Sequence, residues 1–317
     1  MRVDDFPRTL PEFERRFGDE VACWNFLREA KWPDGFRCAD ASCAGRRSYF
    51  IIERGVDECV VCGKQTSVTA GTMFHRTRTP LKLWFRAIFE FVASKSGCNA
   101  CHISRVIGVS YPTAWAWLHK IRDVFRRAGR EPLTGPVEAD ETYVGGPAPG
   151  CDGRACGENQ WPVAGAVEVR GNGCGRVRLE PVDDASAASL QTFVSDVVAE
   201  GSAVLTDGWR GYVGLAAVFD HRVKLIRDPV RAAKLFPRVH RVFSLFKRMI
   251  LGTYQGSWSR KWASLYCEEF AFRFNRRESR HRTHLFRRVV EQAVVRPPRV
   301  HALAGAVGPN RVLPVAA

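Results

Sequence analysis

The sequence predicts an α/β protein in which a small cysteine-rich domain and a helical region precede a sheet flanked by helices. Three observations support this fold class. Two close cysteine pairs lie among short strand and turn patterns at residues 36–72, and residues 80–128 have helical periodicity. Residues 135–212 contain apolar strand patterns separated by Gly-rich turns, and helical patterns return after Pro237.

The predicted organisation has five parts in chain order. They are a helical lead-in (1–35), a zinc ribbon (36–76), a helical region with a helix-turn-helix (77–132), a sheet-containing domain (133–295) and a loose tail (296–317). Within the sheet-containing domain, the strand candidates are residues 137–143, 163–169, 177–182 and 203–206, with an amphipathic helix at 187–199.

Bulk composition indicates a folded and basic chain. The hydrophobic fraction of 45% and the charged fraction of 26% are typical of globular proteins. The 48 Lys and Arg residues outnumber the 33 Asp and Glu residues, which gives a formal net charge of +15 and favours a polyanionic partner. A generically basic surface would give the same charge.

Nothing in the sequence predicts export or membrane insertion. The first 20 residues are mixed in charge and lack the apolar region of a secretory signal, and no segment approaches the roughly 18 uncharged apolar residues of a membrane span. Without an export signal, metal ligation explains closely spaced cysteines better than disulfides do. We therefore expect a cytoplasmic protein without a membrane partner.

Four of the 11 cysteines have the spacing of a zinc site. Cys38-x4-Cys43 and Cys59-x2-Cys62 are separated by 15 residues, and such pairs can place four thiolates around one tetrahedral Zn²⁺ with no open coordination position. Four free buried thiols would not explain the two close pairs, and a redox Cys-x2-Cys would leave the other pair unexplained. Two further pairs are interpreted as structural or incidental rather than as a second zinc site: Cys98 with Cys101, and Cys151 with Cys156.

The helical region contains a helix-turn-helix pattern. Residues 99–107 and 111–121 are helical and are joined by Gly108-Val109-Ser110, with Ser110 suited to cap the second helix. In such a unit the second helix lies in the major groove of DNA. Nearby cations provide charge for phosphate contacts, although they also fit a solvated helix face: Lys120, Arg122, Arg126, Arg127 and Arg130.

Two predicted strands each present a carboxylate near a Gly turn. The first carries Asp140 and Glu141, and the second, residues 203–206, is followed by Asp207 and Gly208. Carboxylates at the ends of neighbouring strands can hold Mg²⁺, and two such ions can promote phosphodiester cleavage. Either Asp taken alone fits ordinary turn chemistry better.

A third segment, residues 237–252, is delimited as a helix by Pro at its start and Gly at its end. Its buried stripe comprises Val242, Leu245, Phe246, Met249 and Ile250. His240 and Lys247 are seven residues apart, so two helical turns place them on the same face, away from that stripe. The spacing puts a potential metal ligand beside a phosphate-binding ammonium group, although a lone helical His is more often a surface or capping residue.

Four motifs in this order, VEADETYVGG, TDGWRGY, HRVFSLFKRMILGTYQG and YCEEFAFRFNRR, resemble the bacterial insertion-sequence transposases related to eukaryotic Merlin elements. The zinc ribbon and helix-turn-helix are similar to that family's N-terminal region, and the resemblance covers residues 10–290. It implies an RNase H-like fold with a mixed five-stranded sheet and flanking helices. It also implies catalytic roles for Asp140 and Asp207, and for a third residue seven positions before a Lys, which maps to His240 and Lys247.

His240 is the main departure from the family pattern. Glu is the commonest residue at that position, and His is a softer ligand than Mg²⁺ prefers. We interpret His240 as a variant ligand rather than as the sign of an inactive copy. Glu269 and Asn275 are alternative third residues of lower rank, and Glu141 is expected to support the site.

The resemblance implies a DNA transposase, a metal-dependent polynucleotidyl transferase of the insertion-sequence type. It would hold Mg²⁺ or Mn²⁺ at Asp140, Asp207 and His240, and its zinc ribbon and helix-turn-helix would recognise terminal inverted repeats. Synapsis of two ends implies a dimer or larger assembly, and a bacterial, nucleoid-associated location is expected. The alternatives are an inactive copy, a DNA-binding regulator, or a nuclease that only hydrolyses.

Residues around the core are then expected to contact DNA. Trp209 fits stacking against a base and packing in the core equally well. The predicted DNA-binding side chains are Lys120, Arg122, Arg210, Arg248 and Arg276, with residues 273–277 along the same track.

Overall fold

The computed structural model describes residues 6–126, 129–145, 160–225, 235–256, 259–279, 281 and 284–297. It divides into two compact units, the first built from Met1–Val124 and Ser279–Ala317 and the second from Phe125–Glu278. Within the described ranges, no helix is both long enough and apolar enough to cross a bilayer.

The first unit combines helices with a three-stranded antiparallel sheet in the order β1-β2-β3. Its elements are α1 (Leu10–Arg16), α2 (Glu20–Lys31), β1 (Ser48–Ile51), β2 (Val56–Cys59), β3 (Gln65–Ser67), α3 (Leu81–Ala93), α4 (Ala100–Ile107), α5 (Tyr111–Val124) and, from the C-terminal part of the chain, α9 (His284–Val295). Local signals fix the first helices, because Thr9 forms a capping box with Glu12 and the Asp19 side chain accepts a hydrogen bond from the backbone of Ala22.

Helix α9 completes an aromatic core in the first unit. The Phe286 ring lies 5.2 Å from the rings of Phe13 and Phe85 and 5.5 Å from that of Phe17, between ring centroids. The structure therefore corrects the predicted domain boundary at residue 295, because α9 packs with the N-terminal helices. Residues 298–317, most of the predicted tail, lie outside the described residues.

The second unit contains the predicted mixed five-stranded sheet, in the order β6-β5-β4-β7-β8. Strands β6, β5 and β4 are antiparallel, whereas β4, β7 and β8 are parallel. Its elements are β4 (Val137–Val144), β5 (Trp161–Arg170), β6 (Gly173–Pro181), α6 (Ala187–Val197), β7 (Ala203–Thr206), a 3₁₀ segment (Arg210–Ala217), β8 (Asp220–Val223), α7 (Pro237–Arg248), a π-helical turn (Met249–Thr253) and α8 (Ala263–Phe274).

The two faces of this sheet bury separate cores. On one face, Val137 and Ala139 pack with Leu190 and Val194 of α6. Helices α7 and α8 cover the other face through an apolar cluster that includes Phe243, Phe246 and Phe270. Gly165 of β5 permits the close approach of α7, because a Cβ there would lie 2.5 Å from the Phe243 ring. The sheet is thus flanked by helices on both sides, as the sequence predicts.

Candidate active site and zinc site

The four predicted zinc ligands converge at one point of the first unit. Their Sγ atoms all lie within 4.8 Å of one another, with Cys38 and Cys62 3.5 Å apart and Cys43 and Cys59 3.8 Å apart. Four thiolates at about 2.3 Å from a tetrahedral Zn²⁺ are separated by about 3.8 Å. The cluster therefore fits a structural zinc ion and leaves no open position.

Backbone geometry supports the thiolates. The amides of Asp40 and Gly45 donate hydrogen bonds of 3.4 Å to Cys38 Sγ and Cys43 Sγ. A Cβ at Gly45 would lie 2.4 Å from Cys59 Sγ, so this position admits only glycine without a shift of the cluster. In the part of the chain that the structure describes, these four cysteines are the one group of three or more potential metal ligands this close together. Cys98 is buried, Cys101 is exposed, and Cys151 and Cys156 lie outside the described residues.

The two helices and the Gly turn predicted for the helix-turn-helix are present as α4, Gly108 and α5. The Asn99 side chain accepts a hydrogen bond from His102 N at 2.9 Å, which caps α4, and Gly108 ends the helix in the left-handed region at a φ of 77°. The Ser110 hydroxyl accepts a hydrogen bond from the Thr113 amide at 3.4 Å at the start of α5.

The cations of α5 are not placed as the sequence predicts. Arg122 is only 1% exposed, with its Nη1 atom 3.4 Å from His119 Nδ1, so this structure does not present Arg122 to DNA as the sequence predicts. Lys120 is half-buried, with its Nζ 5.6 Å from the centroid of the Trp84 ring, and burial lowers the pKa of its ammonium. Arg126, just beyond α5 and in the second unit, is exposed.

In the second unit, sheet register brings the two predicted catalytic aspartates to neighbouring strands. Val137 pairs with Val204 and Glu138 with Leu205 in the parallel ladder, and the same register continued along the chain sets Asp140 beside Asp207. Asp207 follows the last residue of β7, where its Oδ1 accepts a hydrogen bond of 2.9 Å from the Trp209 amide.

Helix α7 places His240 against Asp140. The distance from His240 Nε2 to Asp140 Oδ2 is 3.6 Å, which is too long for a hydrogen bond. The Nε2 atom is buried and has no hydrogen-bond partner among the described residues. Burial lowers the pKa of His240 despite the opposing effect of Glu138 and Asp207, so the imidazole is neutral at pH 7.

One open cleft contains most of the predicted catalytic residues. Asp140, His240 and Lys247 line it together, and burial lowers the pKa of the Lys247 ammonium. The remaining lining residues are Glu141, Thr142, Phe243, Ser244, Arg248, Leu251 and Gly252. The α-helix ends at Arg248 rather than at Gly252, because residues Met249–Thr253 form a π-helical turn at the edge of the cleft.

Glu138 is a site residue that sequence reasoning missed. It is only 1% exposed, and its Oε2 accepts hydrogen bonds from the amides of Arg238 (2.9 Å) and Val239 (3.0 Å), while its Oε1 accepts from Arg238 Nη1 at 2.9 Å. Glu138 lies two residues before Asp140, on the same face of β4, and it holds the first turn of α7 two residues before His240. The alternation of acidic residues along VEADET was the signal available in the sequence.

Glu141 bonds to the opposite side of the sheet. Its Oε2 accepts a hydrogen bond of 2.9 Å from Tyr212 Oη, and Tyr212 packs in the core beneath α6. Burial, followed by the charges of Glu141, Asp140 and Asp207, raises the pKa of Tyr212. The phenol therefore stays protonated and acts as a donor to Glu141, which fits the expected supporting role.

The two lower-ranked alternatives for the third residue are engaged elsewhere. Glu269 is fully buried and accepts hydrogen bonds of 2.8 Å from Tyr254 Oη and Arg273 Nε. Asn275 bonds to both the amide and the carbonyl of Val177. Arg273 is only 6% exposed, so the prediction that it lines a DNA track is wrong for this structure.

The other predicted DNA contacts differ in exposure. Arg210 and Arg248 are exposed, whereas Arg276 is half-buried with its guanidinium 4.3 Å from the centroid of the Phe272 ring. Trp209 Nε1 donates a hydrogen bond of 2.8 Å to the Ala185 carbonyl and the ring packs against the core. This environment favours packing over base stacking for Trp209.

The residues at the cleft suit a divalent cation. Asp140 and Asp207 carry oxygen atoms of the kind that Mg²⁺ and Mn²⁺ prefer as ligands, and the buried Nε2 of His240 lies 3.6 Å from Asp140 Oδ2. Unlike the four cysteines, these three groups are not all within 4.8 Å of one another. In this structure the three groups therefore do not form a closed ligand cluster like that of the four cysteines.

Comparisons with known proteins cover both units. Residues 132–275 match the family described as the ISXO2-like transposase domain, and residues 18–65 match the transposase zinc-ribbon domain. The second match begins before the predicted ribbon and includes α2, whose Arg28 forms an ion pair of 2.6 Å with the buried Asp57 of β2. An uncharacterized protein in transposable element ISH50 of Halobacterium salinarum is 25% identical over 217 residues, 62% of this chain and 70% of that protein. No solved structure matches the chain.

Proposed function

We propose that this chain cleaves DNA at the ends of its element and joins those ends to target DNA. The chain belongs to the insertion-sequence transposases that combine a transposase zinc ribbon with an ISXO2-like transposase domain. One observation carries the proposal. Asp140 lies on β4 and Asp207 directly follows the adjacent parallel strand β7, and the unpartnered Nε2 of His240 lies 3.6 Å from Asp140.

The chemistry consists of two in-line phosphoryl transfers. In the first, water attacks the phosphodiester at the element end, and the bond to the 3′-oxygen breaks to leave a 3′-hydroxyl and a 5′-phosphate. In the second, that 3′-oxygen attacks a target phosphodiester, forms the new bond and displaces the target's own 3′-oxygen. A divalent cation bound at the site would activate the attacking oxygen and stabilise the leaving one.

The chain's own residues have distinct roles in this proposal. Asp140 and Asp207 would hold the cation, and the neutral imidazole of His240 would supply a nitrogen ligand. Lys247 lies on the face of α7 that lines the cleft, and Arg248 adds a second cation, so both can bind the phosphate that flanks the scissile bond. The zinc ribbon and helix-turn-helix recognise the terminal inverted repeats, and two chains bring two ends together.

The test is a strand-transfer assay with purified protein, a labelled duplex from the DNA flanking the gene, a target duplex, and Mg²⁺ or Mn²⁺. Wild type is compared with Asp207→Asn and His240→Ala. We expect metal-dependent joining in the wild type, its loss in Asp207→Asn, and a large reduction in His240→Ala. Wild-type protein that binds the end but neither cleaves nor joins it in either metal would overturn the catalytic proposal and indicate a DNA-binding protein or an inactive copy.

A further inference from the structure

The first unit has an open cleft between its zinc-ribbon sheet and the start of helix α3. Cations from three separate segments line it: Arg54 after β1, Arg78 in the loop before α3, and Lys82 in the first turn of α3. The hydroxyl-bearing residues Ser67, Thr69, Thr77 and Thr79 line the same cleft. Cationic groups together with hydroxyl donors are the side chains that bind phosphate oxygens.

The three cations are available to a ligand. Arg54, Arg78 and Lys82 are exposed, and none of them forms an ion pair within the described part of the chain. In contrast, Arg28 and Arg86 of the same unit are paired with carboxylates. The positive charge of the cleft is therefore not neutralised by direct contacts.

The acidic residues of the cleft are used by helix ends. Glu20 accepts hydrogen bonds from the amides of Leu81 (2.6 Å) and Lys82 (3.1 Å), and Asp19 accepts one of 2.7 Å from Ala22. These carboxylates stabilise the first turns of α3 and α2 rather than binding the side chains of the three cations.

The second helix of the predicted helix-turn-helix has few exposed cations of its own. Helix α5 carries only a half-buried Lys120 and a buried Arg122 within its length, and its exposed first turn presents Tyr111 and Pro112. A helix in a DNA groove needs phosphate contacts from neighbouring segments to fix its position. The cleft of the same unit is lined by three exposed cations of the kind that make such contacts.

We propose that this cleft binds the sugar-phosphate backbone of duplex DNA, so that Arg54, Arg78 and Lys82 position the zinc-ribbon unit on the element end. This inference rests on the proposed DNA-binding function and adds a specific phosphate-binding surface to it. Because the contacts are to phosphate, the cleft contributes affinity for any duplex and leaves sequence recognition to other residues.

The test measures how DNA affinity depends on salt in the full-length protein. Arg54→Gln/Lys82→Gln removes one cation from each wall of the cleft. Arg15→Gln/Lys95→Gln is the matched control, because it also removes one exposed Arg and one exposed Lys from the first unit, away from the cleft. The dissociation constant is measured from about 50 to 200 mM salt on the element-end duplex and on an unrelated duplex of equal length.

The association constant falls as salt rises, and each phosphate contact contributes roughly 0.9 to the steepness of log association constant against log salt concentration. We therefore expect this dependence to be shallower by about 2 in the cleft variant, which lacks two cations. The affinity loss should be equal for both duplexes, and the control should behave as wild type. Equal behaviour of the cleft variant and the control would overturn the inference while leaving the proposed function intact. The same slope change on single-stranded RNA would overturn the assignment to duplex DNA. Failure of wild type to bind either duplex would overturn the proposed function itself, and the inference with it.

Discussion

The zinc site and the catalytic cleft differ in how the chain assembles them. The four cysteines come from 25 consecutive positions, residues 38–62, and their sulfur atoms already lie within 4.8 Å of one another. The proposed catalytic side chains come from β4, the end of β7 and α7, spread over residues 140–247, and Asp140, Asp207 and His240 do not all lie within 4.8 Å of one another. The first site is closed by local turns, whereas the second depends on the register of a sheet and on the docking of a helix.

This difference implies that loss of the zinc ligands should destabilise the fold, whereas loss of the proposed catalytic residues should affect activity and not folding. A closed tetrahedral site couples metal binding to folding, because its ligands have little other reason to meet. At the proposed catalytic site, Asp140 and His240 are held in place by β4 and α7, so we expect loss of a metal there to leave the fold intact.

Cys43→Ser should have the largest effect. Structural zinc sites contribute apparent binding free energies of about 10–16 kcal/mol, and this energy is coupled to folding. We expect loss of bound zinc by elemental analysis, loss of the cooperative melting of the first unit, and loss of DNA-end binding. Cys101→Ser, an exposed cysteine outside the cluster, is the control and should change none of these. Full zinc content and unchanged melting in Cys43→Ser would show that the site is not closed in the way described.

Asp207→Asn should abolish catalysis while leaving the fold unchanged. Loss of a metal-binding carboxylate removes several kcal/mol of transition-state stabilisation, which corresponds to a reduction in joining rate of about 1000-fold or more. The melting temperature should stay within about 2 °C of wild type. Asp220→Asn is the matched control, because Asp220 lies on the neighbouring strand β8 and is exposed. If both variants lost activity equally, the role assigned to Asp207 would be wrong.

Glu138→Gln tests whether the docking of α7 sets the open site. The change removes a buried charge that accepts three hydrogen bonds from Arg238 and Val239, so unfolding should become easier by about 1–3 kcal/mol. It should also raise the metal concentration needed for half-maximal joining, because His240 would lose its fixed position. We expect the rise to be about tenfold.

Glu168→Gln supplies the control for this variant. Glu168 is similarly buried in the same sheet and bonds to Arg176, away from α7. It should show a comparable loss of stability in denaturant titration and no change in metal dependence. A shift in metal dependence in both variants would assign the effect to general destabilisation rather than to the position of α7.

The pH dependence of joining should show the smallest effect. Burial lowers the folded-state pKa of His240 below that of a free imidazole, so the neutral form persists above that value and protonation blocks Nε2 as pH falls through it. We expect a several-fold decrease in joining rate on the acid side of pH 6.5 at saturating Mn²⁺. His240→Glu should move this acid limb to lower pH, because a carboxylate has a lower intrinsic pKa. Identical pH profiles for wild type and His240→Glu would show that His240 takes no part in the reaction.

Local patterns predicted the parts of the molecule that local physics determines. The cysteine spacing, the Gly108 turn and the strands near Asp140 and Asp207 were all readable, because each depends on residues close in sequence. Strand β8 was missed, since its sequence DHRV is polar and its side chains are largely exposed, so it lacks the alternation that marks a strand.

Long-range contacts explain the remaining differences. Arg122 was predicted to face DNA because it is charged, but the fold buries it beside His119. Glu138 was missed because its partners lie 100 residues away at the start of α7. Helix α9 was assigned to the wrong unit, because an amphipathic helix shows that it has a partner without showing which one.

The position of Phe286 has a consequence for synthesis of the protein. A ribosome completes α5 at Val124 but must add about 160 further residues before α9 emerges, which takes roughly 10–30 s at ordinary elongation rates. During that interval the aromatic surface of Phe13, Phe17 and Phe85 lacks its final covering helix. The second unit, Phe125–Glu278, is therefore synthesised in full before the first unit is complete. We expect molecular chaperones to bind the nascent N-terminal helices during this interval.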